Sequence, residues 1–448
     1  MRAIGSILLA FVLALALPTA AIATVTPSDA ATARIAIARD KVLPVVVSIL
    51  VVGEEFRQGE PALSLSSGSG TVISAQGHVA TNAHVTQHGR SFRVIFADGR
   101  ELPAKLVGTD TLTDLAVLQV QPPKPETFAF AEFAEKLDLH AGDTVLAMGA
   151  PWGLSNSMSA GVVNNPRRLL VSLFDDESDY EDSLGDDEPT GRYYAWIQHD
   201  ASIAPGNSGG PLVDLNGRIV GVNTRGMIVG GDLAFAIPAP DAAVVVRELI
   251  RNGWVARVSL GFRLRSLKDT GFDHGVMVSA IERGSEPEKA GLRVGDRILA
   301  INGQTVDAAL PVDVPGLQER IAELPVDSSV ALRVDRDGRI LDVRLRAKAL
   351  PRERDKDLEV RAFGMSGQRL KSDTARRRNL TATTGVLVSG VRPGGPAATA
   401  RPELSPGDVI TQVAGVSVAT PADLNTALKA QPESVVLSVE TGGEQQLS

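Results

Sequence analysis

The 448 residues predict a mainly β chain in which antiparallel barrels precede a duplicated α+β unit. From about residue 35 to 250, short Val- and Ile-rich runs are broken by Gly, Pro and Asn with no long helical pattern between them, which suits antiparallel barrels better than a parallel sheet. Further on, Gly275-Val-Met-Val-Ser-Ala followed by Val294-Gly295-Asp296-Arg297-Ile298 recurs as Gly385-Val-Leu-Val-Ser-Gly followed by Pro406-Gly407-Asp408-Val409-Ile410, offset by 110 to 112 residues. A period this long marks a duplicated domain, because solenoid units run shorter.

In chain order, Arg2, the apolar run Ile4 to Leu17 and Ala21-Ile22-Ala23 have the three regions of a secretory signal peptide, with cleavage expected after Ala23. The run is short for a membrane span, and retention as an uncleaved anchor is the competing reading. Val42 to Val52, Phe92 to Phe96, Thr144 to Met148 and Arg218 to Val222 are the clearest strands. Asp241 to Arg251 reads as a helix with Asp241 as N-cap and Val244, Val245, Leu249 and Ile250 on one face. Leu350 to Asp357 is a charged, solvated linker between the two repeats, each of which has a strand, a small-residue helix, a Gly-Asp turn and a strand.

Composition narrows the function classes. A chain of 448 residues with 44% hydrophobic content suits two to four domains, and aromatics at 4% leave the cores to Val, Ile, Leu and Ala. The net charge of −8, or −9 once Arg2 is removed with the leader, argues against nucleic acid as a partner, because a phosphate backbone needs a basic face. There is no cysteine, so an oxidising compartment offers no disulfide.

The chemistry concentrates in Gly206-Asn207-Ser208-Gly209-Gly210-Pro211. Glycines allow a tight turn and leave N–H groups unshielded beside Ser208, an arrangement suited to acyl transfer through an oxyanion. A serine hydroxyl needs a base and the base needs an orienting carboxylate. His84 in Val79-Ala-Thr-Asn-Ala-His-Val85 and Asp114 in Leu112-Thr-Asp-Leu-Ala-Val-Leu-Gln-Val120 are the candidates; Asp110 is the rival carboxylate, better suited to capping its own turn. The order His, Asp, Ser disfavours the G-x-S-x-G elbow of α/β-hydrolases, whose histidine follows the serine, since only His274 does so here. His78 and His88 lie near His84, but the stretch lacks the carboxylate or thiol company of a zinc site, and no metal or cofactor is required. In this reading Ser208 attacks a peptide carbonyl, His84 moves the proton, Asp114 fixes the imidazole, and the N–H groups of Gly206 and Ser208 bind the oxyanion.

With these residues in place the chain resembles the HtrA/Deg family of serine proteases, through Gly68-Ser69-Gly70-Thr71-Val72-Ile73, Thr81-Asn82-Ala83-His84-Val85, Thr113-Asp114-Leu115-Ala116-Val117-Leu118, the serine loop and Phe235-Ala236-Ile237-Pro238. The resemblance implies a chymotrypsin-like double β-barrel protease domain over 24–252, after a signal peptide over 1–23, then PDZ domains over 257–349 and 357–448. It also implies a secreted, periplasmic, ATP-independent endopeptidase acting on unfolded or damaged proteins, assembled as a homotrimer or a multiple of trimers. A PDZ scaffold or holdase chaperone with an inactive protease fold is the alternative; an intact His84, Asp114 and Ser208 argue against it.

By the same resemblance Ser202, with Ile203 and Leu233, lines the primary specificity pocket. No carboxylate lies there to pair a basic side chain, so a small or medium aliphatic residue is expected. Ser259-Leu260-Gly261-Phe262 is similar to the PDZ loop whose N–H groups, here those of Leu260, Gly261 and Phe262, hold a peptide's terminal carboxylate while the peptide adds as a strand. The second copy offers the weaker Phe363-Gly364-Met365 and departs from the pattern at Ala400-Arg401-Pro402-Glu403, which leaves its peptide binding open. An acidic insertion also departs from the family, with nine carboxylates between Asp175 and Glu188. It lacks EF-hand spacing and reads as a solvated loop, with a charge-sensitive gate as the functional alternative.

Overall fold

The computed structural model describes residues 27–150, 157–170, 190, 194–204, 206–228, 232–281, 284–350, 358–371, 374–375, 378, 380–430 and 435–447. The signal-peptide segment, the acidic insertion and all of the linker beyond Leu350 lie outside them.

Two closed six-stranded barrels follow an N-terminal helix, Pro27–Val42. The first holds β1 (Val46–Arg57), β2 (Glu60–Val72), β3 (His78–Asn82), β4 (Gly89–Ile95), β5 (Glu101–Asp110) and β6 (Leu115–Val120), closed in the order β1-β2-β3-β6-β5-β4. The second holds β7 (Thr144–Gly149), β8 (Ser157–Arg168), β9 (Trp196–His199), β10 (Pro211–Asp214), β11 (Ile219–Ile228) and β12 (Asp232–Pro238), closed as β10-β11-β12-β9-β8-β7. Val47, Ile49, Val79, Val94 and Leu118 are fully buried in the core of the first barrel, and Val145, Ala147, Ile197, Leu212 and Ala236 in that of the second. The expected run Val42 to Val52 is divided: Val42 closes the N-terminal helix and pairing begins at Val46. Packing of Ala38 and Val42 onto the first-barrel core decides this, because that stretch has no strong apolar periodicity of its own.

The helix after β12 spans Ala239–Asn252, so Asp241 stands in its first turn and Pro238 holds the cap position expected for Asp241. Its buried stripe is Ala242, Val245, Val246 and Leu249, the i, i+3, i+4, i+7 face, while Val244 is 57% exposed. Val244 sits about 200° around the helix from Ala242 and cannot share its face. Gly253 ends the helix at φ +75°, donating its N–H to Leu249 O at 2.8 Å.

The two repeats fold as small α+β units. The first contains β13 (Val258–Ser259), β14 (Phe262–Arg265), β15 (Val276–Ile281), β16 (Arg297–Ile301), β17 (Gln304–Thr305), the helix Val314–Ala322, β18 (Ser329–Arg336), β19 (Arg339–Arg346) and β20 (Lys348–Ala349). The second contains β21 (Leu358–Val360), β22 (Met365–Arg369), β23 (Val386–Val391), β24 (Val409–Val413), β25 (Val416–Ser417), the helix Pro421–Lys429, β26 (Leu437–Thr441) and β27 (Glu444–Leu447). The repeat read from sequence is a repeat in register, since Val276 pairs with Ile298 as Val386 pairs with Ile410. The first repeat is tied to the barrels by Arg257, nearly buried, which donates to Asp110 Oδ2 at 2.9 Å and lies over the Tyr194 ring at 5.2 Å.

Candidate active site

Each barrel contributes one side of the site. The polar end of β3 runs into a single helical turn, Ala83–Thr86, that carries His84, and Asp114 stands in the turn between β5 and β6. Asp114 is at φ +59°, a backbone state an Asp tolerates better than a branched residue. Its carbonyl accepts from Asn82 Nδ2 and from the Ala83 N–H, both at 3.0 Å. The carboxylate is buried: Oδ1 accepts the His84 backbone N–H at 3.0 Å, while Oδ2 lies 2.8 Å from His84 Nδ1 and takes the Thr224 hydroxyl at 2.5 Å. Burial alone would push this carboxyl up; the facing imidazole and the three donated bonds overcome it and hold Asp114 below the usual carboxylate range.

The serine loop joins β9 to β10 and packs against β2. The Ser208 Oγ donates to Thr224 O at 2.9 Å, so the resting hydroxyl points at β11, and the structure brings His84 and Asp114 together more tightly than it brings Ser208 to His84. Ser208 O accepts from the Ser69 N–H at 2.8 Å, and the Ser69 hydroxyl donates to Gly206 O at 2.6 Å while accepting from the Ala150 N–H at 2.8 Å. Gly209, at φ +85°, must be glycine: a Cβ there would stand 2.2 Å from both Ser69 O and Thr81 Oγ1. The N–H groups of Gly206 and Ser208 donate to no backbone carbonyl among the described residues. Asp110, the rival carboxylate, accepts from the Thr113 hydroxyl at 2.8 Å and from Arg257, outside the His84 contacts.

Of the expected pocket residues, Ile203 and Leu233 approach Gly226, whose missing Cβ would lie 3.7 Å from Ile203 O and 3.9 Å from Leu233 O, while Ser202 O accepts from the Ser159 hydroxyl at 2.7 Å. His199, three residues before Ser202, is fully buried, and burial pushes its pKa down to about 4 against the opposing Asp200 charge and Ala201 backbone N–H. In the first repeat Leu260 is buried and Gly261, at φ +73°, gives its own N–H to Ser259 Oγ at 3.1 Å. Sequence reasoning missed Ser69, Asn82 as a brace for Asp114, Thr224, Gly226 and His199. Asn82 and Ser69 lie inside the quoted motifs, so their positions carried a signal; Thr224 and His199 carried none.

These two barrels, with a half-buried His84 held by a buried Asp114 and a glycine-lined serine loop beside them, define a trypsin-like peptidase followed by PDZ domains. The profile of the Trypsin-like peptidase domain matches residues 68–222, and that of the PDZ domain matches residues 254–314 and 354–440. Relatives include a probable periplasmic serine endoprotease DegP-like from Chlamydia trachomatis, 34% identical over 84% of this chain and 72% of that protein. Another of the same name, from Bartonella henselae, is 33% identical over 85% of this chain and 73% of its own length. Among solved structures, an HtrA-type protease AlgW with tripeptide overlays with a TM-score of 0.59 at 28% identity, covering 70% of this chain and 97% of that one. The serine endoprotease from Yersinia pestis gives 0.54 at 27% identity, covering 70% and 98%. The chain belongs to the HtrA/DegP-like family of periplasmic serine endoproteases. No helix among the described residues is long and apolar enough to cross a membrane.

Proposed function

We propose that Ser208, His84 and Asp114 perform the peptide-bond hydrolysis of this endopeptidase, on unfolded or damaged proteins whose C-termini the first PDZ unit captures. The observation that carries the reading is the Asp114 carboxylate, bound by His84 through both ring and backbone and by Thr224, which presets the imidazole tautomer that leaves Nε2 free to take a proton. Turning the Ser208 hydroxyl from Thr224 O toward His84 starts the reaction. Its oxygen then attacks the substrate carbonyl carbon as His84 accepts the proton, and the imidazolium returns that proton to the leaving amine. Water repeats the two steps on the acyl-enzyme. The N–H groups of Gly206 and Ser208 receive the oxyanion, each such donor contributing about 3 kcal/mol to lowering the barrier.

Ser202, Ile203 and Leu233, the last two beside Gly226, offer no countercharge for a basic side chain, which favours a small or medium aliphatic one. Likeness to the family suggests a homotrimer or a multiple of it. Incubation with an unfolded casein tests the assignment. Ser208→Ala abolishes cleavage while substrate capture persists, His84→Ala is about as damaging because the residues act as one unit, and a labelled serine-directed phosphonate marks Ser208 only when His84 is present. Turnover retained in Ser208→Ala would overturn it.

A further inference from the structure

The two PDZ units share a register but differ at the edge where a peptide would add. In the first, β14 ends its sheet, its outer edge unpaired among the described residues beside the helix Val314–Ala322, and β13 pairs instead with β20. In the second, β22 lies between β21 and β23. Leu358 faces Gly367, Glu359 faces Ser366 and Val360 faces Met365, so the chain entering the unit has taken the edge of β22 as an antiparallel strand. Val360 is fully buried in one core with Leu424 and Leu428 of the helix Pro421–Lys429, and Asn425 Nδ2 of that helix donates to Glu359 O at 3.3 Å. A strand addition needs an unpaired edge, and here the space between edge and helix already holds backbone.

The corner of this unit is occupied by another part of the chain. The β1–β2 hairpin closes at Gln58 and Gly59, both at positive φ (51° and 73°), as a two-residue turn requires. Its tip seats on the second unit: a Cβ on Gly59 would stand 3.0 Å from Arg392 N, Gly364 O and Met365 Cα, and a Cβ on Gly390 would stand 2.7 Å from Gly59 N. Beside the tip, Arg392 Nε faces Glu60 Oε1 at 2.6 Å as an ion pair without the alignment of a hydrogen bond. Arg392 also lies 3.5 Å from Glu359 of β21, so one guanidinium joins the hairpin to the strand that closes the edge.

We propose that the second PDZ unit is an internal clamp: β21 closes its peptide edge, and its Gly364–Gly390–Arg392 corner grips the β1–β2 hairpin tip of the protease domain. Only the peptide arm of the test rests on the reading of the first unit given above. In full-length Ser208→Ala protein, hydrogen exchange is followed with and without a decapeptide ending in a free-carboxylate valine. Slowed exchange at β14 with β22 unchanged is the expected result. No protection at either strand would count against the reading of β14 while β22 stays closed as the clamp requires; protection arising at β22 would overturn the closed edge. Gly390→Val, which fills the space under the tip, is expected to speed exchange of the amides of residues 57–60 at least tenfold. Because that variant can disturb the unit itself, Glu60→Arg serves as a second probe from the hairpin side, with several-fold faster tip exchange that Arg392→Glu restores in the double variant. Tip exchange unchanged in both Gly390→Val and Glu60→Arg would overturn the clamp.

Discussion

Thr224 illustrates how much one hydroxyl can do at the level of a residue. It donates to Asp114 while its own carbonyl accepts from Ser208, so it holds the proposed orienting carboxylate and parks the hydroxyl of the proposed nucleophile. A hydrogen bond to a charged group contributes about 1.5–3 kcal/mol, so Thr224→Val should lower kcat by roughly ten- to a hundredfold with KM nearly unchanged. Steady-state kinetics on a peptide substrate measures the split. His199 makes a different prediction. Burial lowers its pKa from an ordinary 6.5 to about 4, so the unfolded chain binds the proton first as pH falls. Stability is therefore full above pH 6.5, declines between 6.5 and about 4 at about 1.4 kcal/mol per pH unit, and levels off below. Strand alternation puts this imidazole on the same face as Ile197, inside the second barrel, so the loss belongs to that barrel. Thermal melts across this range should show the decline in the wild type, and His199→Leu should flatten it.

Strand β2 shows the same economy at the level of an element. One end carries Glu60 against the second PDZ unit, and near the other end Ser69 bonds both Gly206 and Ser208. The strand thus runs from the second PDZ unit to the loop that carries the proposed nucleophile. Ser69→Ala removes two hydrogen bonds at about 1 kcal/mol each and leaves the Ala150 N–H without its acceptor, so kcat should fall about tenfold or more. Phosphonate labelling of Ser208 should slow by a similar factor, while KM stays within about twofold. A rate equal to wild type would mean that Gly209 and its neighbours hold the loop unaided. The helix Ala239–Asn252 teaches a related lesson: its sequence announces an amphipathic helix, but the face it buries is chosen by what it packs against.

Across the whole molecule, the joint between the peptidase and the first PDZ unit holds a nearly buried ion pair. Arg257 and Asp110 are both nearly buried, so truncating Arg257 leaves a carboxylate without its cation; Arg257→Ala should cost about 3–5 kcal/mol. Because Asp110 also anchors Thr113, next to Asp114, the same variant should lose activity at temperatures well below its Tm. Calorimetry paired with an activity–temperature curve separates the two effects. On the facing helix, burial together with Glu323 and Asp241 raises Glu319 from 4.5 to about 7, with Arg167 and Arg257 opposing. A carboxyl raised by folding stabilises the protonated state, so its contribution is complete below pH 4.5 and is lost as pH rises through about 7. Glu319→Gln should keep the joint closed at pH 8, read as slower hydrogen exchange of the helix Val314–Ala322 than in the wild type.

Local chemistry and repetition were legible in the chain before any coordinates. Gly206-Asn207-Ser208-Gly209-Gly210 needs no distant partner to show that a serine sits on a tight turn, and the order His84, Asp114, Ser208 singled out the architecture from its rivals. The Val- and Ile-rich runs with turn residues between them foretold closed sheets, and the duplicated Gly-Asp turns foretold two similar units in one register. The tertiary structure decided everything that depends on contacts between distant segments. Thr224 reaches Asp114 across 110 positions, Ser69 reaches Gly206 across 137 and Arg257 reaches Asp110 across 147. It also decided that β22 would be closed by β21 where, among the described residues, the outer edge of β14 is left unpaired. Periodicity and turn chemistry act over a few residues, whereas hydrogen-bond partners, a buried imidazole and a filled strand edge depend on which surfaces meet, and that is settled only when the barrels and the repeats pack.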